Sequence, residues 1–277
     1  MGTLGVISLL IIIANILVSY KGFKDRGFYA QYSFEVEKIL LYKDYKRLVT
    51  SGFLHVNWRH LIFNMLALYF FSGSLENYIG PLYFLIIYFA SLIGGELLSL
   101  FIHRNKGDYG SVGASGAISG IIFASIALFP GMQIGMLFLP ISFPAWLYGL
   151  AYILYSIYGI KSGSNNIGHD AHLGGGLIGM FIAILLYPSS LVVNLIPILL
   201  IFIPAAVFIY IIITRPGFLL IDNYFFKKHH FYSVDHKYNY TKQQQQAELD
   251  HLLDQINKKG YNSLSQKEKN RLKELSK

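Results

Sequence analysis

Runs of about twenty apolar residues leave a chain few choices, because backbone taken into hydrocarbon must satisfy its own hydrogen bonds, and only helices and closed barrels do so. This sequence of 277 residues carries apolar runs at 4–20, 58–75, 81–102, 115–129, 136–159, 171–187 and 191–214. Short connections rich in Gly, Pro, Ser or Asn separate the later ones, as turns between helices require. Hydrophobic residues make up 54% of the chain and charged residues 14%, with a mean hydropathy of +0.45, which excludes an ordinary soluble domain. The chain is therefore read as an all-α polytopic membrane protein. No basic segment precedes the first run and no small-residue cleavage site follows it, so that run is expected to be a retained span rather than a signal peptide.

Between the first and second spans lies a long loop, 21–57, with Lys21, Lys24, Arg26, Lys38, Lys43, Lys46 and Arg47; a loop of that length is expected to have structure of its own. The fifth run opens with Pro140 and Pro144, placing the true start of its helix near Pro144. Pro197 and Pro204 interrupt the seventh, which is read as a kinked single span rather than a re-entrant hairpin. From Arg215 the composition turns polar, with a Gln243–Gln246 run. Leu249, Leu252, Leu253 and Ile256 then recur at helical spacing, Gly260 would end that helix, and Ser265 with Glu268 has capping-box spacing before Leu272 and Leu275. Three regions follow: 1–187, a six-helix core; 188–214, a seventh helix; 215–277, a polar linker and helical tail. The chain lacks cysteine, so disulfides, a thiol nucleophile and thiolate metal ligands are excluded. A net charge of +8, carried in loops and tail beside the spans, points to anionic lipid and not to nucleic acid.

Polar side chains inside spans are costly and mark function or helix pairing. Ser115, in Gly113-Ala114-Ser115-Gly116 at the mouth of the fourth span, is either packing filler or a nucleophile. His60 and Asn64 lie four residues apart on the second span and share a face; bridging between helices and a functional role both stay open for them. His172 opens the sixth span beside Ala171, Gly175 and Gly179, which recur every four residues and make a groove, while Gly116 and Gly120 make a matching smooth face on the fourth. If these faces pack, Ser115 and His172 meet at one level, since span counting puts the starts of the second, fourth and sixth spans on the same side. A neutral imidazole can take the serine proton, and the Ser115 N–H, His60 and Asn64 can donate to an oxyanion. Asp170, two residues before His172, faces away on a helix, so the pair is expected to act as a dyad.

These three motifs, Gly113-Ala114-Ser115-Gly116, His60-Leu61-Ile62-Phe63-Asn64 and Ala171-His172 with Gly175 and Gly179, resemble the GxSG, HxxxN and AHxxGxxxG signatures of rhomboid intramembrane serine proteases, in the family's order and on its spans. The resemblance covers about residues 1–187. It implies a rhomboid-like six-helix bundle with a water-filled cavity, Ser115 as nucleophile, His172 as general base, His60 and Asn64 at the oxyanion hole, no metal and no cofactor. It further implies transmembrane protein substrates, cut in or near the spanning helix, and residence in a bacterial plasma membrane. Arg47 and Glu76 fall where rhomboids often carry an arginine and a glutamate. One position departs from the family: where many rhomboids have an aromatic that stacks on the imidazole, this chain has Ser119, so His172 must be oriented by His169 or by packing.

Three rival readings compete with the dyad. His55, His103 and His169 suggest a metal, but HExxH is absent and no carboxylate has ligand spacing with a histidine pair; Glu96 would suit a proton relay but is expected to pair with a polar neighbour or to sit near a helix end. A rhomboid-like protein that binds transmembrane segments without cutting them would normally lack the serine or the histidine. Orientation is contested: with seven spans all 23 Lys and Arg residues fall on the active-site side, which the positive-inside rule places in the cytoplasm, whereas the resemblance opens the dyad outward. The dyad is expected to open outward, with the side of the tail left open, since a hairpin at the seventh run would return the tail to the amino-terminal side and nearly balance the charges.

Overall fold

A computed structural model of the chain describes residues 4–135, 142–162, 167–214 and 265–275, together with Leu249, Leu252, Leu253, Gln255 and Ile256. Pro140, the Gln243–Gln246 run and Gly260 lie outside the described residues.

Helix α1 (Val6–Lys24) buries Ser8, Ile11, Asn15, Ser19 and Gly22 and turns Leu9, Leu10, Ile13 and Leu17 outward. That is the inverse of a soluble helix, and it follows from lipid being as apolar as leucine: helices associate through small and polar residues instead. The loop after it is structured, with α2 (Arg26–Tyr32), β1 (Phe34–Glu35), α3 (Val36–Leu40), α4 (Arg47–Thr50) and a 3-10 turn at Ser51–Phe53. Phe34, Val36, Ile39 and Leu48 form its small core. Arg47 is 5% exposed and donates to the carbonyls of Ala30 and Ser33 and to Asp44, closing the loop on itself. β1 pairs antiparallel with β2 (Gly110–Ser111), which ties this loop to the segment leading into the fourth long helix.

The remaining helices are α5 (Trp58–Ile79), α6 (Pro81–His103), α7 (Ser115–Leu128), α8 (Ala145–Ser162), α9 (His169–Leu186), α10 (Ser190–Val193) and α11 (Leu195–Thr214). The short strands β3 (Gln133–Gly135) and β4 (Ser142–Pro144) pair antiparallel just before α8, so Pro144 ends a strand and the helix starts at the next residue. α11 runs through Pro204 as one helix. The long helices fall on the seven apolar runs, and the chain is an all-α polytopic membrane protein. Among the described residues, α1, α6, α9 and α11 are both long and apolar enough to cross a membrane. α5 and α8 have the length, at 22 and 18 residues, but carry polar and tyrosine side chains; α7 is apolar but has 14 residues.

α7 is the centre of the bundle. Every residue from Gly116 to Leu128 is buried, chiefly against α9 and α6, with α5 on a further side. Its far end is held by Asn194, whose Nδ2 donates to the Ala127 carbonyl at 2.9 Å; the last carbonyls of a helix need such a donor. α11 packs on α8, close enough at Gly149 that a Cβ there would lie 2.8 Å from Ile201 Cδ1.

By internal contacts the chain divides into Met1–Ile221 and Asp222–Lys277. In the second unit Leu249, Leu252, Leu253 and Ile256 are each helical. The helix Gln266–Leu275 opens with a reciprocal cap, the Ser265 N–H donating to Glu268 Oε2 at 2.7 Å and the Glu268 N–H to Ser265 Oγ at 3.3 Å.

Candidate active site

The lead-in to α7 turns on Gly113. Its φ is +138°, a region that side chains rarely enter, and a Cβ there would also sit 2.8 Å from His60 Cε1. The Gly113 N–H donates to the Ser51 carbonyl at 3.1 Å. Two residues on, Ser115 is the first residue of α7, and Ala114 at the cap position supplies no side-chain acceptor. The N–H groups of the first turn, that of Ser115 included, therefore face the site with the positive end of the helix behind them.

Ser115 Oγ lies 2.7 Å from His172 Nε2 on α9, a full hydrogen bond. The two helices come this close because neither has side chains in the way. A Cβ on Gly175 would lie 2.1 Å from the Gly116 carbonyl oxygen, and one on Gly179 would lie 2.3 Å from that of Gly120. A Cβ on Gly116 would come within 3.2 Å of the Ala171 carbonyl, and one on Gly120 within 2.0 Å of Ser91 Oγ on α6. Each obstacle except Ser91 is backbone, which cannot swing aside.

His60 and Ser115 flank the same side of Gly113, a Cβ there lying 3.1 Å from His60 Nε2 and 3.6 Å from Ser115 Oγ. The His60 N–H is capped by Asn57 Oδ1 at 2.9 Å, and its ring meets that of His55 edge-on, centroids 4.9 Å apart. Asn64 is buried one turn further along α5 and spends one amide hydrogen on the His60 carbonyl at 3.0 Å. His60 and Ser115 thus meet beside Gly113, His172 joins them through its bond to Ser115, and Asn64 follows one turn along α5 from His60. His55, which the sequence offers only as a possible metal ligand, lies in the loop before α5. It is fully buried and bonded through Nδ1 to Ser19 Oγ at 2.8 Å; burial, and then the neighbouring His60, push its imidazole down to about 3.

Asp170 turns away from His172, its carboxylate 2.9 Å from His103 Nε2 and 3.5 Å from the Tyr109 hydroxyl, so it does not orient the imidazole. His103 is in turn stacked on Tyr109, centroids 3.5 Å apart. Glu96 is buried beside the Ser51 and Ser111 hydroxyls. His169 lies against Gly159 of α8 and edge-on to Tyr155, and meets His172 edge-on at 6.2 Å. His55, His103 and His169 are thus engaged separately.

The flat neighbour of His172 is a residue that none of the three sequence motifs contains. Tyr152, on α8, stacks on the imidazole with centroids 5.8 Å apart and planes 22° apart, and its hydroxyl is 3.0 Å from Ser119 Oγ. The available signal was the spacing of Tyr148, Tyr152, Tyr155 and Gly159, which repeats at helical intervals along one face of α8.

Compared with known proteins, residues 42–189 match the model of the Rhomboid domain, and residues 232–277 match a family of unknown function (DUF6576). Similar curated proteins include RHOMBOID-like protein 12, mitochondrial, of Arabidopsis thaliana, 33% identical over 147 residues that cover 47% of this chain and 43% of that protein. Rhomboid protein 1, mitochondrial, of Saccharomyces cerevisiae is 34% identical over 149 residues, covering 51% and 43%. The human presenilin-associated rhomboid-like protein, mitochondrial, is 32% identical over 136 residues, covering 48% and 36%. The chain spans less than half the length of these relatives.

Proposed function

The chain belongs to the rhomboid family, and from that premise we propose that it is a serine endopeptidase that cuts membrane proteins in or near a transmembrane segment. The observation that carries this reading is the 2.7 Å contact between Ser115 Oγ and His172 Nε2, at a helix start without a side-chain cap. In the proposed reaction His172 Nε2 takes the hydroxyl proton as Ser115 Oγ attacks the scissile carbonyl carbon. The negative charge that develops on the carbonyl oxygen is met by the Ser115 N–H and by His60 and Asn64. His172 then returns its proton to the amide nitrogen as the C–N bond breaks, leaving an ester on Ser115. A water, deprotonated by the same imidazole, hydrolyses that ester. Gly113, Gly116, Gly120, Gly175 and Gly179 serve by letting the backbones close. The substrate helix must unwind before its carbonyl can reach Ser115, which favours single-span proteins with small or helix-breaking residues near the cut.

The test is cleavage of a transmembrane reporter by purified protein in detergent. Ser115→Ala and His172→Ala should each abolish it; activity that persists in either sinks the dyad. A wild-type protein that captures the reporter and leaves it whole would favour the rival, a binder of transmembrane segments. The chain is an integral multi-pass membrane protein. The relatives carry mitochondrial names and lend no support to the bacterial plasma membrane expected from the sequence.

A further inference from the structure

We infer that Tyr152, tethered by Ser119, is the residue that orients His172, so that α8 supplies to the base what its own helix and α7 do not. The inference rests on the Ser115–His172 reading above. A hydrogen bond through Nε2 fixes one point of the imidazole but leaves the ring free to turn about its side-chain torsions. A flat face laid against it removes that freedom, and offset stacking at the observed separation of 5.8 Å and tilt of 22° is the favourable arrangement for two rings. The tyrosine is itself held. Tyr148 stacks behind it at 5.7 Å and Phe123 of α7 tilts against it at 6.0 Å.

The hydroxyls settle the direction of the tether. Ser119 Oγ lies 2.8 Å from the Ser115 carbonyl, an acceptor, so the serine hydrogen is committed there. The Tyr152 hydroxyl, 3.0 Å away, must then donate to Ser119 Oγ. The ring that lies on the base is thereby bonded to the turn of α7 that begins with the nucleophile. Clasped in this way, α7, α8 and α9 hold serine, tyrosine and histidine in one register, and Ser119 is the small hydroxyl that a ring arriving from α8 requires. A tyrosine that merely filled space would need neither the parallel face nor the bond to Ser119.

The experiment compares Tyr152→Leu, Tyr152→Phe and Ser119→Ala with wild type in the detergent reporter assay, with melting temperatures recorded for each. Loss of orientation acts on the chemical step and not on substrate capture. Tyr152→Leu should lower kcat by about thirtyfold or more with KM within about twofold of wild type. Tyr152→Phe, which keeps the ring, should retain about a third of kcat or more, and Ser119→Ala should lose about threefold with KM unchanged. If Tyr152→Leu does not fold, Ser119→Ala decides by the same split. A folded Tyr152→Leu with wild-type kcat, equal losses in Tyr152→Leu and Tyr152→Phe, or an unaltered kcat in Ser119→Ala overturns the inference while leaving the protease reading intact. If wild type itself is no more active than Ser115→Ala, the protease reading fails and the inference falls with it.

Discussion

At residue 175 a hydrogen atom in place of a methyl group sets the separation of serine and histidine, because the first added carbon would meet the Gly116 carbonyl at 2.1 Å. Gly175→Leu should therefore leave both reactive side chains present and still reduce kcat by about a hundredfold, with a lower melting temperature; a normally folded variant with full activity would refute this account of how the site is assembled. His55 predicts a pH effect on stability. Its imidazole is held neutral in the fold down to about 3, against an ordinary value of 6.5, so the unfolded chain binds the proton first. Stability is complete above 6.5 and declines as pH falls through the window from 6.5 toward 3. Thermal melts across that window should show the decline, and His55→Asn should make it shallower. Ser115, His172, His60 and Asn64 stand out in the sequence as polar residues in apolar runs, and the proximity of Ser115 to His172 and His60 agrees with the span counting that put them at one level. Tyr152 does not stand out there, being one of 21 tyrosines, and Ser119 registers only as a missing aromatic.

Two helix ends, the last turn of α7 and the first turn of α1, are secured by side chains from distant parts of the chain. Glu76, near the end of α5 and 5% exposed, accepts from the N–H groups of Ile7 and Ser8 at 2.9 and 2.8 Å and from the Ser8 hydroxyl, so it caps α1 from the helix packed beside it. Glu76→Gln loses the charge that strengthens these bonds and leaves an amide donor facing N–H groups. A loss of about 1–3 kcal/mol is expected, read as a lower melting temperature with α1 the first helix to exchange its amide hydrogens. The positions of the long helices were legible, since twenty-residue apolar runs admit little else in lipid. Their exact ends were less so: α5 continues to Ile79 because Gly73, Ser72 and Glu76 face inward and pack, where hydropathy alone would have stopped it. The cap of α1 by Glu76 joins residues 68 and 69 positions apart, a separation that local pattern cannot reveal.

For the whole molecule the distribution of charge bears on which way it sits in the membrane. Every Lys and Arg falls on the side that carries Ser115 if all seven long helices span, yet long loops and tails can be translocated whatever their charge. We hold to the outward orientation. Topology reporters fused after Pro130 and after Ile221 should then give a cytoplasmic signal at the first and a non-cytoplasmic one at the second, while a cytoplasmic signal from the first loop would reverse the assignment. Depth follows from another dimension. At about 1.5 Å per residue, α7 with its 14 residues is ~21 Å long, against a hydrocarbon layer of ~30 Å. If its Leu128 end reaches one face of that layer, Ser115 lies about 9 Å beneath the other. The proposed hydrolysis would consume water at a level where lipid holds none, so the protein itself would have to conduct it inward. A host bilayer with shorter acyl chains would bring the serine nearer the aqueous phase, which makes membrane thickness a variable of the proposed reaction alongside pH and temperature.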